Sequence, residues 1–170
     1  MSRLNIRKSR REDLPAMLAI YAYARQKMKE NGNPNQWITY PKREILENDL
    51  ALDRSYVLTD GERVCGTFVF FVGNDPTYDV IEGAWLNDEP YGVIHRIASD
   101  GTNKGILREA VAFAKRFTDN LRIDTHADSV VMQNALQKEG FSKTGVIYVK
   151  DDTSDHSPRI AYQKVLRQNA

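Results

Sequence analysis

Ile94-His95-Arg96-Ile97-Ala98-Ser99-Asp100-Gly101-Thr102-Asn103-Lys104-Gly105-Ile106-Leu107 reads as an apolar strand, a short polar loop with two glycines and an immediate helix. A strand that delivers such a loop onto a helix N-terminus builds an anion site. The first-turn amides have no partner within the helix, and the helix dipole favours negative charge there. Asn103 and Lys104 keep the approach polar and positive, while Gly101 and Gly105 let the backbone come close to a ligand. A pyrophosphate is the natural occupant, which points to a nucleotide-like cofactor rather than to a bare interaction module. Two phosphate fingerprints fail here. The Walker pattern needs Gly-Lys followed by Ser or Thr, but Lys104 precedes Gly105 and Ile106 follows it. The dinucleotide pattern needs three glycines at fixed spacing, and only Gly101 and Gly105 are present.

Working outward, Leu4 to Arg7 is a short strand candidate. Leu14, Met17, Leu18, Tyr21, Ala24 and Met28 recur at helical spacing until Asn31-Gly32-Asn33-Pro34 closes the helix. A second amphipathic helix follows Pro41 and buries Ile45, Leu46 and Leu50. Ser55 to Thr59 and Arg63 to Val72 are strands joined through Asp60-Gly61, a hairpin signal. Asp75 to Tyr91 is irregular, rich in Pro, Asn and acidic residues. Then come the strand Val93 to Ser99, the glycine loop and a helix from Gly105 to about Phe117. A strand Leu121 to Thr125 follows, then a helix Ser129 to Glu139 stopped by Gly140. Lys143 to Val149 and Arg159 to Leu166 are final strands around the polar loop Asp151 to Pro158. The order β-α-α-β-β-β-α-β-α-β-β suits an α/β (α+β) domain over 1–170, with a mixed central sheet and helices on both faces.

The 170 residues fit one domain with a sizeable core. With 24 basic against 23 acidic residues and no basic block, nonspecific nucleic-acid binding is not expected. No apolar run approaches the roughly 18 residues needed to span a membrane, and the N-terminus is charged rather than signal-like. A cytoplasmic protein is expected. Cys65, the single cysteine, reads as a small core residue. The three histidines are too scattered for metal-ligand spacing, so no metal is expected.

The loop resembles the pyrophosphate loop of the GNAT-type N-acetyltransferases, Arg/Gln-x-x-Gly-x-Gly/Ala. Laid on Gly105, that pattern puts Thr102 at the basic or amide position and Leu107 at the last small one. The element order is also that of the GNAT fold. In the second half Leu121-Arg122-Ile123-Asp124-Thr125-His126, then Asp128, Met132, Leu136 and Gly140-Phe141, is similar to the family's later motif, whose helix ends in Gly-Phe. The resemblance implies an acetyl-CoA-dependent transferase acting on a primary amine of a small molecule or peptide. Pantetheine would lie in a gap between splayed parallel strands, pairing with the main chain at Ile97 and Ser99. Backbone amides from Thr102 through Asn103, Lys104, Gly105 and Ile106 to Leu107 would hold the pyrophosphate. A fixed N–H near Ile97 or Ala98 would meet the negative charge that develops on a thioester oxygen. Two positions depart from the family. Its usual Asn falls on Ser129, and its usual Tyr, which protonates the leaving thiolate, falls on Leu136. Expelling a thiolate of pKa about 8.5 unprotonated at neutral pH costs roughly 2 kcal/mol; Tyr148 or a water is the substitute acid.

Candidate site residues each carry a functional and a structural reading. Glu82 and His95 are the candidate bases for the acceptor amine; His95 alternatively bonds a neighbouring backbone group, and Glu82 alternatively pairs with Arg96. Arg96, among Ile94, Ile97 and Ala98, requires a carboxylate partner, for which Glu82 and Asp124 are the candidates. His126 either contacts the cofactor or caps its turn, and His156 is solvated. Trp37, Tyr40, Tyr78, Trp85 and Tyr91 fall in the two irregular segments, where they either clamp an acceptor or anchor long loops. Glu82, Asp88 and Glu89 either attract an amine or are simply solvated. Two other classes stay open: a GNAT-fold module that binds acyl-CoA for sensing without turnover, and a plain phosphate-binding α/β protein. Monomer and homodimer are both compatible with the sequence.

Overall fold

The computed structural model describes residues 4–151 and 154–166. Strand β1 (Leu4–Lys8) precedes helices α1 (Leu14–Glu30) and α2 (Arg43–Ala51), then strands β2 (Ser55–Asp60) and β3 (Arg63–Val72). A two-residue strand β4 (Glu82–Gly83), absent from the expected order, leads to β5 (Gly92–Ser99), α3 (Ile106–Ala114), β6 (Asn120–Thr125), α4 (Val130–Lys138), β7 (Ser142–Val149) and β8 (Ser157–Val165). Asp152 and Thr153 of the expected polar loop lie outside the described residues. The eight strands form one sheet in the order β1-β2-β3-β5-β6-β8-β7-β4. β5 and β6 are its parallel pair, and every other pairing is antiparallel.

Alternation along the strands feeds a helix-covered core on each face of the sheet. Tyr56 and Leu58 point to the face covered by α3 and α4, and Val57 to the face covered by α1 and α2. On the first face Phe113 of α3 packs on Tyr56, Phe68 and Phe70 at ring-centroid distances of 4.9, 6.1 and 6.2 Å. On the second, Leu14, Met17, Ile20 and Tyr21 of α1 meet Leu46, Val57 and Ala98. Helix α4 ends in a Schellman motif. Gly140, at φ 84°, donates to the Gln137 carbonyl and Phe141 to the Leu136 carbonyl, each at 3.0 Å. Leu136 and Phe141 are both buried in the first core, the apolar contact that accompanies this motif. That explains the Gly-Phe pair physically.

Strand β5 is irregular on both sides. Towards β3, Thr67 faces Ala98 but Val69 faces His95, so Arg96 and Ile97 together oppose Phe68. This is a β-bulge, and Arg96 takes it at φ 51°, a left-handed conformation costing roughly 1–2 kcal/mol for a residue with a Cβ. Towards β6, register holds only at Gly92–Leu121 and Val93–Arg122, after which the strands part. Three contacts hold the bulge. Arg96 Nε and Nη2 donate to the two carboxylate oxygens of Asp49 on α2 at 2.9 and 2.5 Å, Arg96 Nη1 donates to the Tyr40 hydroxyl at 2.6 Å, and the Tyr21 hydroxyl donates to the Arg96 carbonyl at 2.7 Å. The partner of Arg96 is therefore Asp49, not Glu82 or Asp124 as the sequence suggested. Asp49 falls on the buried face of α2, one turn from Leu46. Breaking a buried pair strands the remaining charge. Asp49→Ala is expected to lower the unfolding free energy by about 3–5 kcal/mol in chemical denaturation; a loss under about 1 kcal/mol, the range of an exposed pair, would show that the pair does not hold the bulge.

Candidate functional site

Where β5 and β6 part, two cavities open and meet. One, of about 290 Å³, is lined by Trp37, Tyr40, Thr77, His95, Arg96, Asp124, Lys150, Asp151 and Arg159 among others. The other, of about 340 Å³, runs between α1, the Ser99–Gly101 backbone and the starts of α3 and α4. Met28, Ile97, Ser129 and Met132 line both, so the bulge sits at their junction. Arg96 and Ile97, out of register with β3 and beyond the last pairing with β6, leave their backbone outside both ladders.

Of the residues expected to bind a cofactor, Ile97, Ala98, Ser99, Ile106, Leu107 and Ser129 line the second cavity, together with Gly101. Thr102, Asn103, Lys104 and Gly105 form the loop beyond it. Gly105 enters α3 at φ 78°, and the first helical bond runs from the Glu109 amide to the Gly105 carbonyl at 2.9 Å. The amides of Ile106, Leu107 and Arg108 therefore have no partner inside the helix. Thr102 shapes the loop: its hydroxyl donates to Asp100 at 2.6 Å and accepts from Arg63 Nη2 at 2.7 Å. A guanidinium from the β2–β3 hairpin thus stands beside the position where the family pattern carries a basic or amide side chain. His126 takes the turn-capping arrangement, its Nδ1 accepting from the Asp128 amide at 3.0 Å. Burial, then the nearby Arg159 charge, holds its imidazole below the ordinary histidine range.

The candidate bases separate. Glu82 lies on β4, three strands beyond β6, or roughly 14 Å at ordinary strand spacing. It is exposed, accepts from the Tyr148 hydroxyl at 2.7 Å and lines neither cavity. Its assignment as the base is thereby corrected: the irregular segment before β5 borders the cleft at Asp75 and Thr77 but has run to the far edge of the sheet by Glu82. Tyr148 goes with it, stacked on His156 at 4.0 Å, so that histidine is not simply solvated. His95 stays in the first cavity, with Nε2 2.6 Å from Asp75 Oδ2. Burial pushes the Asp75 carboxyl up, but hydrogen bonds from His95 and Thr77 outweigh it and leave it below the ordinary range.

Among the aromatic candidates, Trp37 and Tyr40 line the first cavity, and Tyr78, Trp85 and Tyr91 do not. These three belong to a core with Val93, Ile147 and Ala161. Trp85 and Tyr91 sandwich the Arg122 guanidinium at 4.2 and 4.0 Å, and Trp85 Nε1 donates to the Tyr78 carbonyl at 3.0 Å. They anchor the loop and are withdrawn as acceptor contacts. Asp75, Asp49, Asp124 and the buried Arg159–Asp151 pair are site features that sequence spacing missed. The one available signal was that Arg96 and His95 on an apolar strand each need a carboxylate.

Neither a protein-family model nor a curated protein sequence matches this chain. Solved structures do. A GNAT-family acetyltransferase from Streptococcus agalactiae 2603 superposes with a TM-score of 0.85 over 97% of this chain and 96% of that one, at 24% identity. The fold is that of the GNAT acetyltransferases. A putative acetyltransferase from Staphylococcus aureus Mu50 is 27% identical over 95% of this chain and 99% of its own, with a TM-score of 0.69. One from Salmonella typhimurium, solved with its cofactor acetyl-CoA, reaches 0.59 at 15% identity, covering 99% and 97%. Within this GNAT fold the usual tyrosine position, Leu136, is 0% exposed in the core and reaches neither cavity.

The Asp75–His95 contact has a pH signature. A carboxyl whose folded-state pKa is depressed stabilises the fold above its unfolded value of about 3.9, and that contribution is lost as pH falls through the lower folded value. Asp75→Asn is expected to lower the melting temperature at pH 7 and to converge on the parent below about pH 4. Parallel curves of melting temperature against pH would show that the contact adds nothing to stability.

Proposed function

We propose that this chain is a single-domain acyltransferase that moves an acetyl group from acetyl-CoA to an amine by direct attack. The observation that carries the reading is the parted β5–β6 pair with the Arg96 bulge at the junction of its two cavities. The cavity between α1, α3 and α4 fits pantetheine: main chain at Ile97 and Ser99 on one side, apolar Val130, Val131 and Met132 on the other. At its mouth the unpartnered amides of α3 suit a diphosphate, with Asn103 and Lys104 adding polar and positive contacts. Acetyl-CoA, when bound, supplies the activated acyl thioester. The backbone N–H at Ile97, released from the ladders by the bulge, or that of Ala98 beside it meets the charge that develops on the thioester oxygen.

His95 accepts the proton that the ammonium form gives up before attack, and the second proton, lost as the N–C bond forms, passes to the departing sulfur as the C–S bond breaks. Asp75 fixes the ring: with Nε2–H donated to the carboxylate, Nδ1 is the accepting nitrogen. Ser129, at the junction, makes no cap bond to α4 and offers its hydroxyl to the departing sulfur. The burial of Leu136 favours a second reading, an acyl-CoA-binding module with little turnover.

Stabilisation by CoA and acetyl-CoA, but not by ATP or NAD, is expected in a melting-temperature screen; stabilisation by ATP or NAD instead would point to a different phosphate ligand. Release of free thiol from acetyl-CoA with a panel of amines separates transfer from binding alone. His95→Ala should lower kcat/KM on the order of 100-fold, the usual worth of a positioned base, while CoA still stabilises the variant. Unchanged turnover in His95→Ala would move the proton transfer to water.

A further inference from the structure

Among the described residues, every charged group lining the first cavity is matched by an oppositely charged partner except one. Arg96 pairs with Asp49, Arg159 with Asp151 and His95 with Asp75. Lys150 lies 3.8 Å from Asp155 at the surface. Asp124 stands at the end of β6, where the strand has already left β5, and it lines the cavity. Among the described residues no cation forms an ion pair with it, and its one side-chain hydrogen bond comes from the Tyr78 hydroxyl, 2.7 Å from Oδ2. Tyr78 is 1% exposed. Burial, and after it the charge of Asp124, pushes that hydroxyl well above its ordinary range, so it remains a donor. Oδ2 is thus fixed, and Oδ1 accepts nothing from the described residues.

Tyr78 also packs against the His95 ring, with centroids 5.9 Å apart. One buried side chain therefore positions both the free carboxylate and the proton acceptor on the same wall. Trp37 and Tyr40 line the same cavity, and aromatic faces attract a cation. A half-buried carboxylate without a cationic partner carries a desolvation cost that a cationic ligand recovers.

We propose that Asp124 is the specificity residue for the acceptor, and that the acceptor is a compact aliphatic amine docked as its ammonium on Oδ1. This rests on the acyl-transfer reading and names its substrate class. Aliphatic amines, with pKa near that of lysine at about 10.4, arrive charged at neutral pH. Asp124 recruits that form, and His95 takes the proton before attack.

The test compares compact aliphatic amines with hydroxylamine, which is uncharged at neutral pH, in the parent and in Asp124→Asn, an isostere whose carbonyl still accepts from Tyr78. Turnover is measured, and so is calorimetric binding of each amine to the CoA-loaded protein. In the parent, aliphatic amines should bind and react in preference to hydroxylamine. Asp124→Asn should raise KM for aliphatic amines at least tenfold with a smaller change in kcat, leaving KM for hydroxylamine and stabilisation by CoA unchanged. Equal effects on charged and neutral acceptors, or none on either, overturn the inference and leave acyl transfer standing. Charge-selective binding without turnover, lost in Asp124→Asn, upholds the ammonium site and removes the transfer reading. If the variant does not fold, a parent without preference for the charged amines overturns the proposal, and a parent with that preference, lost in the neutral Asp124→Ser, upholds it.

Discussion

The Arg96–Asp49 pair is the contact on which the architecture of the cleft depends. A residue with a Cβ does not rest at φ 51° in the middle of a strand unless its surroundings compel it. Here a guanidinium gripped by a carboxylate from α2 and by Tyr40, and a carbonyl gripped by Tyr21 from α1, supply the compulsion. The helices on one face of the sheet thus enforce an irregularity in its central strand. That irregularity frees two residues of backbone where β5 loses β6. Burial opposes the charge on Arg96, but Tyr40 and Asp49 more than offset it, so the guanidinium stays ionised.

Pairing of the other charges follows from the same low-polarity setting. The Arg159–Asp151 contact at 2.6 Å and the His95–Asp75 contact at 2.6 Å close off groups that would otherwise bind indiscriminately. The cleft is consequently polar yet nearly silent, and the chemistry expected of it concentrates on a small number of atoms: the backbone at the bulge, the ring of His95 and the free oxygen of Asp124. Leu136 shows the opposite choice. In the Schellman turn its side chain packs on Phe141, and a hydroxyl at that depth would need a partner the core does not offer.

The hairpin of Ser55 to Thr59 with Arg63 to Val72, the helical spacing of Leu14, Met17 and Tyr21, and the Gly140-Phe141 stop were all legible in the sequence, because each depends on local period or local turn geometry. The glycine loop and its helix were legible for the same reason. The bulge was not. Nothing local to Ile94-His95-Arg96-Ile97 distinguishes a regular strand from one forced open by Asp49, about 47 positions earlier in the chain. Glu82 failed in the same way. Its position before β5 suggested the cleft, but the antiparallel pairing of Glu82 with Val146 carries it to the opposite edge of the sheet. Tyr78 was expected at the acceptor surface and lies beneath it, reaching the cleft through its bond to Asp124 and its packing on His95.

The central claim is that the bulged β5 backbone and the first turn of α3 form one binding surface for an acyl thioester of CoA. A crystal structure of the complex with CoA tests it most directly. The account predicts the diphosphate on the amides of Ile106 to Arg108, the pantetheine chain along Ile97 to Ser99, and the sulfur at the junction lined by Ile97, Ser129 and Met132. CoA bound outside the β5–β6 gap, or a β5 that is regular at Arg96, would contradict it.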